Sequence, residues 1–305
     1  MAAHPVPAAA LLALALAPGP ATAQAPPTPA PRPNFEAAAP SPVAPQVAPA
    51  FAPTPGGTAV LSLSAAFAGE GRPIRAGLVW RIFEDKGPGS RLVSKLANPS
   101  PIATLPAGSY VVHVSYGLAS QSKRLTLGAG PSSERLALAA GALKLAGAIG
   151  QAPVSPSRLS FSIFMPLAND SEGRLVAAQV KPGEMVTLPE GSYHVVSRYG
   201  DSNAVTRADL KVETGKITEA TLNHRAATVT LKLVASAGGE AFAGTAFSVL
   251  TPGGDVIREA IGSFPTVTLA EGDYVLIARQ AGKVYTREFK VESGLDVDVE
   301  VTAPL

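Results

Sequence analysis

The chain has 305 residues, a formal net charge of +2 and no cysteine. So small a charge argues against a nucleic-acid partner, and the missing cysteine excludes disulfides, thiolate metal sites and a cysteine nucleophile together. Hydrophobic residues at 46% allow packed cores, while charged residues at 16% give way to Ala, Gly and Pro.

Residues 1–23 read as a secretory signal peptide. An apolar run from Ala8 to Ala17 precedes the small residues Ala21 and Ala23, with Gln24 as the expected new N-terminus. A run of about ten residues is roughly 15 Å long as a helix, too short to span a bilayer. With no cysteine at the cleavage point, no N-terminal lipid anchor is expected, and the mature chain is placed in the periplasm or outside the cell.

Residues 24–57 contain eleven prolines and two charged residues, Arg32 and Glu36. Proline removes backbone donors and fixes φ, so neither helix nor sheet propagates. The segment is expected to be a disordered, polyproline-like tether, reaching roughly 100 Å at about 3.1 Å per residue.

After Gly57 apolar and polar residues alternate, as in ATVTLKL (227–233), YVLIARQ (274–280) and LDVDVEV (295–301). Period two with Gly and Pro punctuation predicts short strands. The stretch TLPAGSYVV from 104 returns as TLPEGSYHV from 187 and TLAEGDYVL from 268. With Tyr110, Tyr193 and Tyr274 in register, Trp80, Phe161 and Phe247 fall together upstream, and Gly130, Gly215 and Gly294 downstream. Several landmarks in one order at one period define a repeat of independent small domains. The modules are 58–141, 142–226 and 227–305. Seven strands are expected in the third, near 228–234, 245–250, 255–260, 264–269, 273–280, 283–291 and 295–301. The fold class is therefore all-β, three tandem Ig-like antiparallel β-sandwich modules. Gly253–Gly254 marks one tight hairpin and the Gly294 position the last.

The repeated turn has a physical reading. Pro106 and Pro189 preset φ, and Gly108, Gly191 and Gly272 can take positive φ. The tyrosine then starts a strand with its ring inward and its hydroxyl free to reach the backbone near the turn, as in a tyrosine corner. The third copy has Ala270 in place of the proline and is expected to be looser. Trp80, Phe161 and Phe247 read as core anchors, and Tyr116 and Tyr199 as inward or edge positions. This turn-plus-tyrosine pattern resembles that of prealbumin-like and carboxypeptidase-regulatory-like domains, and of collagen-adhesin B-type repeats. The stretch 249–275 is similar to exported β-sandwich repeat proteins of Gram-negative bacteria. The resemblance implies non-catalytic envelope modules and transfers no functional residue.

Chemistry-bearing motifs are scarce. No nucleophile elbow, zincin helix or phosphate-cradling loop occurs, and no cofactor is expected. His113 and His194 lie on strands opposite to the tyrosine rings, and His224 sits in TLNHRAA; all three read as solvent-facing or rim histidines. Asp296, Asp298 and Glu300 share one strand face and form a weak calcium candidate; the competing reading is a charged edge that blocks sheet extension. The Asn169–Glu172 loop reads as a turn. A hydrolase would need converging carboxylates or a Ser–His pair where modules meet.

Charge runs along the array, from +5 over 58–141 through +1 over 142–226 to −4 over 227–305. Arg72, Arg75, Arg81, Arg91, Lys123 and Arg124 carry most of the first excess and form a candidate basic patch. The expected role is a non-enzymatic structural or adhesive scaffold. Its expected partner is an envelope protein, an anionic glycan such as peptidoglycan, or the acidic third module of another copy. Carbohydrate or peptidoglycan-fragment binding is the alternative.

Overall fold

The computed structural model describes residues 57–304 apart from Pro88 and Asn169. The expected signal peptide and the expected proline-rich tether, and the Asn169–Glu172 side chains, lie outside the described residues. Among the described residues no helix is long and apolar enough to cross a membrane.

The first module contains β1 (Thr58–Phe67), β2 (Leu78–Glu84), β3 (Arg91–Leu96), β4 (Ile102–Pro106), β5 (Gly108–Tyr116), β6 (Ala119–Leu127) and β7 (Gly130–Leu138). The second contains β8 (Ala140–Ile149), β9 (Ala152–Pro153), β10 (Leu159–Leu167), β11 (Asp170–Val180), β12 (Met185–Pro189), β13 (Gly191–Tyr199), β14 (Val205–Val212) and β15 (Ile217–Asn223). The third contains β16 (Ala226–Val234), β17 (Thr245–Leu250), β18 (Val256–Gly262), β19 (Thr266–Ala270), β20 (Gly272–Gln280), β21 (Lys283–Val291) and β22 (Val297–Thr302). All seven strands expected in the third module are present within a few residues of their expected ends.

Each module builds two sheets. The larger are ordered β3-β2-β5-β6, β11-β10-β13-β14 and β18-β17-β20-β21; the smaller are β4-β1-β7, β12-β8-β15 with β9 on β8, and β19-β16-β22. Alternation drives this arrangement, because successive side chains face opposite sides of a strand. In β2 the residues Leu78, Trp80 and Ile82 are buried while Val79 and Arg81 are only half-buried. Trp80, Phe161 and Phe247 stand at the centres of three separate cores, each 1% exposed or less.

Two features depart from a purely antiparallel, hairpin-connected sandwich. The first and last strands of each module run parallel: β1 with β7, β8 with β15 and β16 with β22. The turn at Gly294 accordingly carries the chain from the larger sheet to the smaller one, and β21 and β22 share no ladder. It is a crossover, where the sequence suggests a hairpin. A further difference concerns the tyrosine turn. Gly191 and Gly272 have φ of 158° and 154°, whereas Gly108 stays out of the positive range. These values lie at the extended edge of that range, so the turn asks little of φ.

The modules follow one another without a spacer. Ala139 alone separates β7 from β8, and His224 and Arg225 alone separate β15 from β16.

Candidate functional site at the module joints

The second and third tyrosine turns lie at the joints, where the Glu190 and Glu271 N–H groups donate to the Ala139 and Arg225 carbonyls, while the first lies beside Gly57. Each carries the chain from the smaller sheet to the larger one through a single residue. Tyr110 and Tyr193 donate their hydroxyls to the carbonyls of Pro106 and Pro189, both at 2.9 Å. Tyr274 does the same to Ala270, also at 2.9 Å. Burial pushes all three phenols above their usual range. The third turn closes like the others, and a residue of the second module also holds it. Asn203 accepts the Ala270 N–H at 3.0 Å and donates its amide to the Tyr274 hydroxyl at 2.8 Å.

Both joints share a close seat. Gly117 and Gly200 follow their tyrosines by seven residues. A Cβ on either would lie 2.7 Å from Thr187 or 2.6 Å from Thr268, inside van der Waals contact. Both glycines also have positive φ, 58° and 73°, so two constraints select glycine. The first joint is closed by backbone bonds: Leu118 N–H to Thr187 O at 3.0 Å and Glu190 N–H to Ala139 O at 3.0 Å.

The second joint adds side chains. Arg225 pairs with Glu271 through two bonds of 2.9 and 2.8 Å, and Arg258 pairs with Asp201. Arg158 donates to Thr228 at 3.2 Å and to Thr268, and its guanidinium lies 5.3 Å from the centre of the Tyr199 ring. Thr268 has no exposed surface, whereas Thr187 is half-buried and Thr104, the matching residue of the first module, is exposed.

His224 is 1% exposed, which corrects the rim position expected for it. The sequence places it between modules, and the packing of Tyr199 and the second module's strands around the joint covers it. Its Nε2 is 2.8 Å from Ser197 Oγ, and its Nδ1 is 3.5 Å from Thr206 Oγ1. Burial pulls its pKa below the ordinary 6.5. A Ser–His pair therefore does stand at a joint. It is unsuited to acyl transfer, because Ser197 has no exposed surface and a nucleophile must reach within about 3–3.5 Å of its target. The group facing Nδ1 is a threonine hydroxyl at the long limit of a hydrogen bond, where a triad places a carboxylate. The pair satisfies two buried polar groups. Grooves of about 580 and 610 Å³ flank this joint, the first lined by Arg158, Gly200 and Asp201, the second by His224, Arg225 and Glu271.

The other sequence candidates are spread out. His113 and His194 lie on the outer face of their sheets, bonded to Ser122 at 2.9 Å and Asp209 at 2.8 Å. The calcium candidates face three different partners: Asp296 accepts from Thr228 N–H, Asp298 pairs with Lys232, and Glu300 accepts from Gly238 N–H. Among the described residues no group of three or more His, Cys, Asp or Glu is arranged to hold a metal. The six basic residues differ in their surroundings. Arg72 and Arg75 stand exposed on the loop before β2, and Arg81 lies half-buried midway along β2. Arg91, Lys123 and Arg124 pair with Glu84, Glu134 and Asp85 at 3.1, 2.6 and 2.7 Å.

The structure thus defines a tandem array of β-sandwich modules with sealed joints. Residues 228–303, the third module, match the Rhizobiales growth-associated tandem repeat domain. No curated protein sequence matches the chain. Among solved structures it is similar to the Bacillus anthracis TIE protein, at 14% identity and TM-score 0.24; the match covers 81% of this chain, which spans about half (51%) of the TIE protein's length. It is also similar to a streptococcal ancillary pilin, at 12% identity and TM-score 0.31, covering 80% of this chain and 98% of the pilin. A minor pilin of Streptococcus agalactiae matches at 14% identity and TM-score 0.29, over 54% and 97%.

Proposed function

We propose that the protein is an exported, non-enzymatic spacer of the cell envelope that holds a partner through its module faces. One observation carries this reading: successive cored modules are joined through one or two residues, and each joint is sealed by hydrogen bonds. Such joints hold modules at fixed separations, whereas ligand-binding arrays that act independently need linkers. The repeat family of the third module is described as growth-associated, which fits a role in the envelope of a growing cell. Platforms for sugar are not offered by Trp80, Phe161 or Phe247, all of them core residues.

The partner is an anionic envelope protein or glycan that meets the basic first module. Arg72 and Arg75, with Lys95 and Arg135, supply exposed charge that faces no carboxylate among the described residues, since Arg91, Lys123 and Arg124 pair with acids of their own module. Head-to-tail pairing of copies would need a seat unlike the internal joints. Ala281, with φ of 47°, stands at the third hairpin where Gly117 and Gly200 stand in the others. The test is capture of the tagged protein from gently crosslinked cells, washed at low and high salt, with Arg72→Ala/Arg75→Ala in parallel. A defined envelope component lost at high salt and lost with the double variant supports the reading. Recovery of the protein alone under both conditions refutes it.

A further inference from the structure

We infer that Asn203 is a specificity determinant that fixes the order of the modules, by accepting only a following module whose tyrosine turn lacks proline. The Gly–Thr seat cannot discriminate, because it is the same at both joints. The elements around it differ. In the first module β5 and β6 are joined by Gly117 and Leu118 alone, and Leu118 reaches the next module with its backbone N–H. In the second module the loop between β13 and β14 is longer, from Gly200 to Ala204, and carries Asn203 to the third module's turn.

The chemistry of that contact is directional. The Tyr274 hydroxyl spends its proton on Ala270 O, so toward Asn203 it can only accept. The Ala270 N–H can only donate. A carboxamide, with one acceptor oxygen and one donor nitrogen, answers both at once, and its orientation follows from its partners rather than from assignment. Pro106 and Pro189 occupy the Ala270 position in the other two modules and have no N–H to offer. A proline-type turn set against Asn203 would leave its oxygen without the donor and bring a pyrrolidine ring to it. The missing proline of the third copy is therefore the matching half of a lock, and the second module accepts the third and rejects the first.

Replacing Ala270 by proline restores the pattern of the other two copies, so local turn chemistry alone expects it to be neutral or stabilising. The lock expects the opposite at the joint. The chain lacks cysteine, so spin labels can be placed in the full-length protein at Arg207→Cys and Thr286→Cys, both exposed positions in adjacent modules. Pulsed electron–electron distance measurements then read how tightly the modules are held. The native chain and Ala270→Gly, which keeps the N–H, should give the same narrow distribution. Ala270→Pro and Asn203→Ala should broaden it, with the docked-to-undocked ratio falling about fivefold for each neutral hydrogen bond removed. In the Asn203→Ala background, Ala270→Pro should add nothing, because the pair is then already broken. Should Ala270→Pro unfold the third module, Asn203→Ala decides, since it leaves that module's own sequence intact. A distribution in Ala270→Pro as narrow as in Ala270→Gly overturns the lock. So does equal broadening by the proline in both backgrounds, or no broadening in Asn203→Ala.

Discussion

Removing one oxygen from Tyr110 tests the tyrosine turn in isolation from the rest of the array. Trp80 is the sole tryptophan and lies fully buried in the same core as Tyr110, so its fluorescence reports unfolding of the first module alone. Tyr110→Phe keeps the ring and deletes the bond to Pro106 O at 2.9 Å. A neutral hydrogen bond contributes about 1 kcal/mol, and Pro106 is exposed enough for water to take over its carbonyl. The expected loss is therefore about 1 kcal/mol, or a fall of roughly 4–8 °C in the midpoint for a module of this size. Tyr110→Ala also removes the ring from a site 3% exposed and should cost about 3–5 kcal/mol. Urea titrations followed at the tryptophan emission maximum measure both. The phenol adds a pH signature. Burial, and then the Glu84 charge, raises its pKa above 10.0, so the native state favours the protonated form. That stabilisation is complete below pH 10 and is lost as pH rises through the folded value, and Tyr110→Phe should flatten this alkaline limb. An unchanged midpoint in Tyr110→Phe would refute a structural role for the hydroxyl and leave the turn to its glycine and proline.

His224 gives the acidic counterpart. Its folded pKa lies below 6.5 because burial disfavours the imidazolium, so the unfolded joint binds more protons. Stability of the joint should be full above pH 6.5 and fall as pH drops below it; hydrogen exchange of the 217–228 peptide at pH 7.5 and 5.5 measures this, and His224→Gln should abolish the difference. Gly200→Ala should cost at least about 1–2 kcal/mol from the left-handed φ alone, plus a steric share that Thr268→Ala relieves, read by denaturant melts of the two single variants and the double. Limited proteolysis should spare 139–143 and 224–227, where Ala140, Leu143, His224 and Ala226 are buried, and cut near the exposed Lys86, Gly87, Gly89 and Ser90; early cleavage at Ala139 would mean that the first joint opens.

Local rules made much of this architecture legible in the sequence. Strand alternation, the repeated turn and the aromatic at one repeat position each depend on neighbours a few residues away. What stayed hidden depends on distant chain. The parallel pairing of first and last strands, and with it the crossover at Gly294, is set by which strand lies beside β16, and no local pattern records that. His224 looks like a linker residue until the second module's strands and Tyr199 close over it. Arg91 and Arg124 look like surplus charge until β3 and β6 bring them beside Glu84 and Asp85. Asn203 left one trace, the alanine where a proline recurs, and that trace reads as a defect until its partner is seen across the joint.

The parallel pairs have a mechanical consequence. Tension on a module enters through its first strand at one end and leaves through its last strand at the other. Because these two strands lie side by side and point the same way, the pull slides them past each other and loads their bonds together, not one after another. The load is shared over nine residue pairs in β1–β7, seven in β8–β15 and six in β16–β22. Stretched between two anchor points, the protein should resist as a series of unequal clamps. The third module should yield first and the first last, and the order of events in single-molecule pulling would show it.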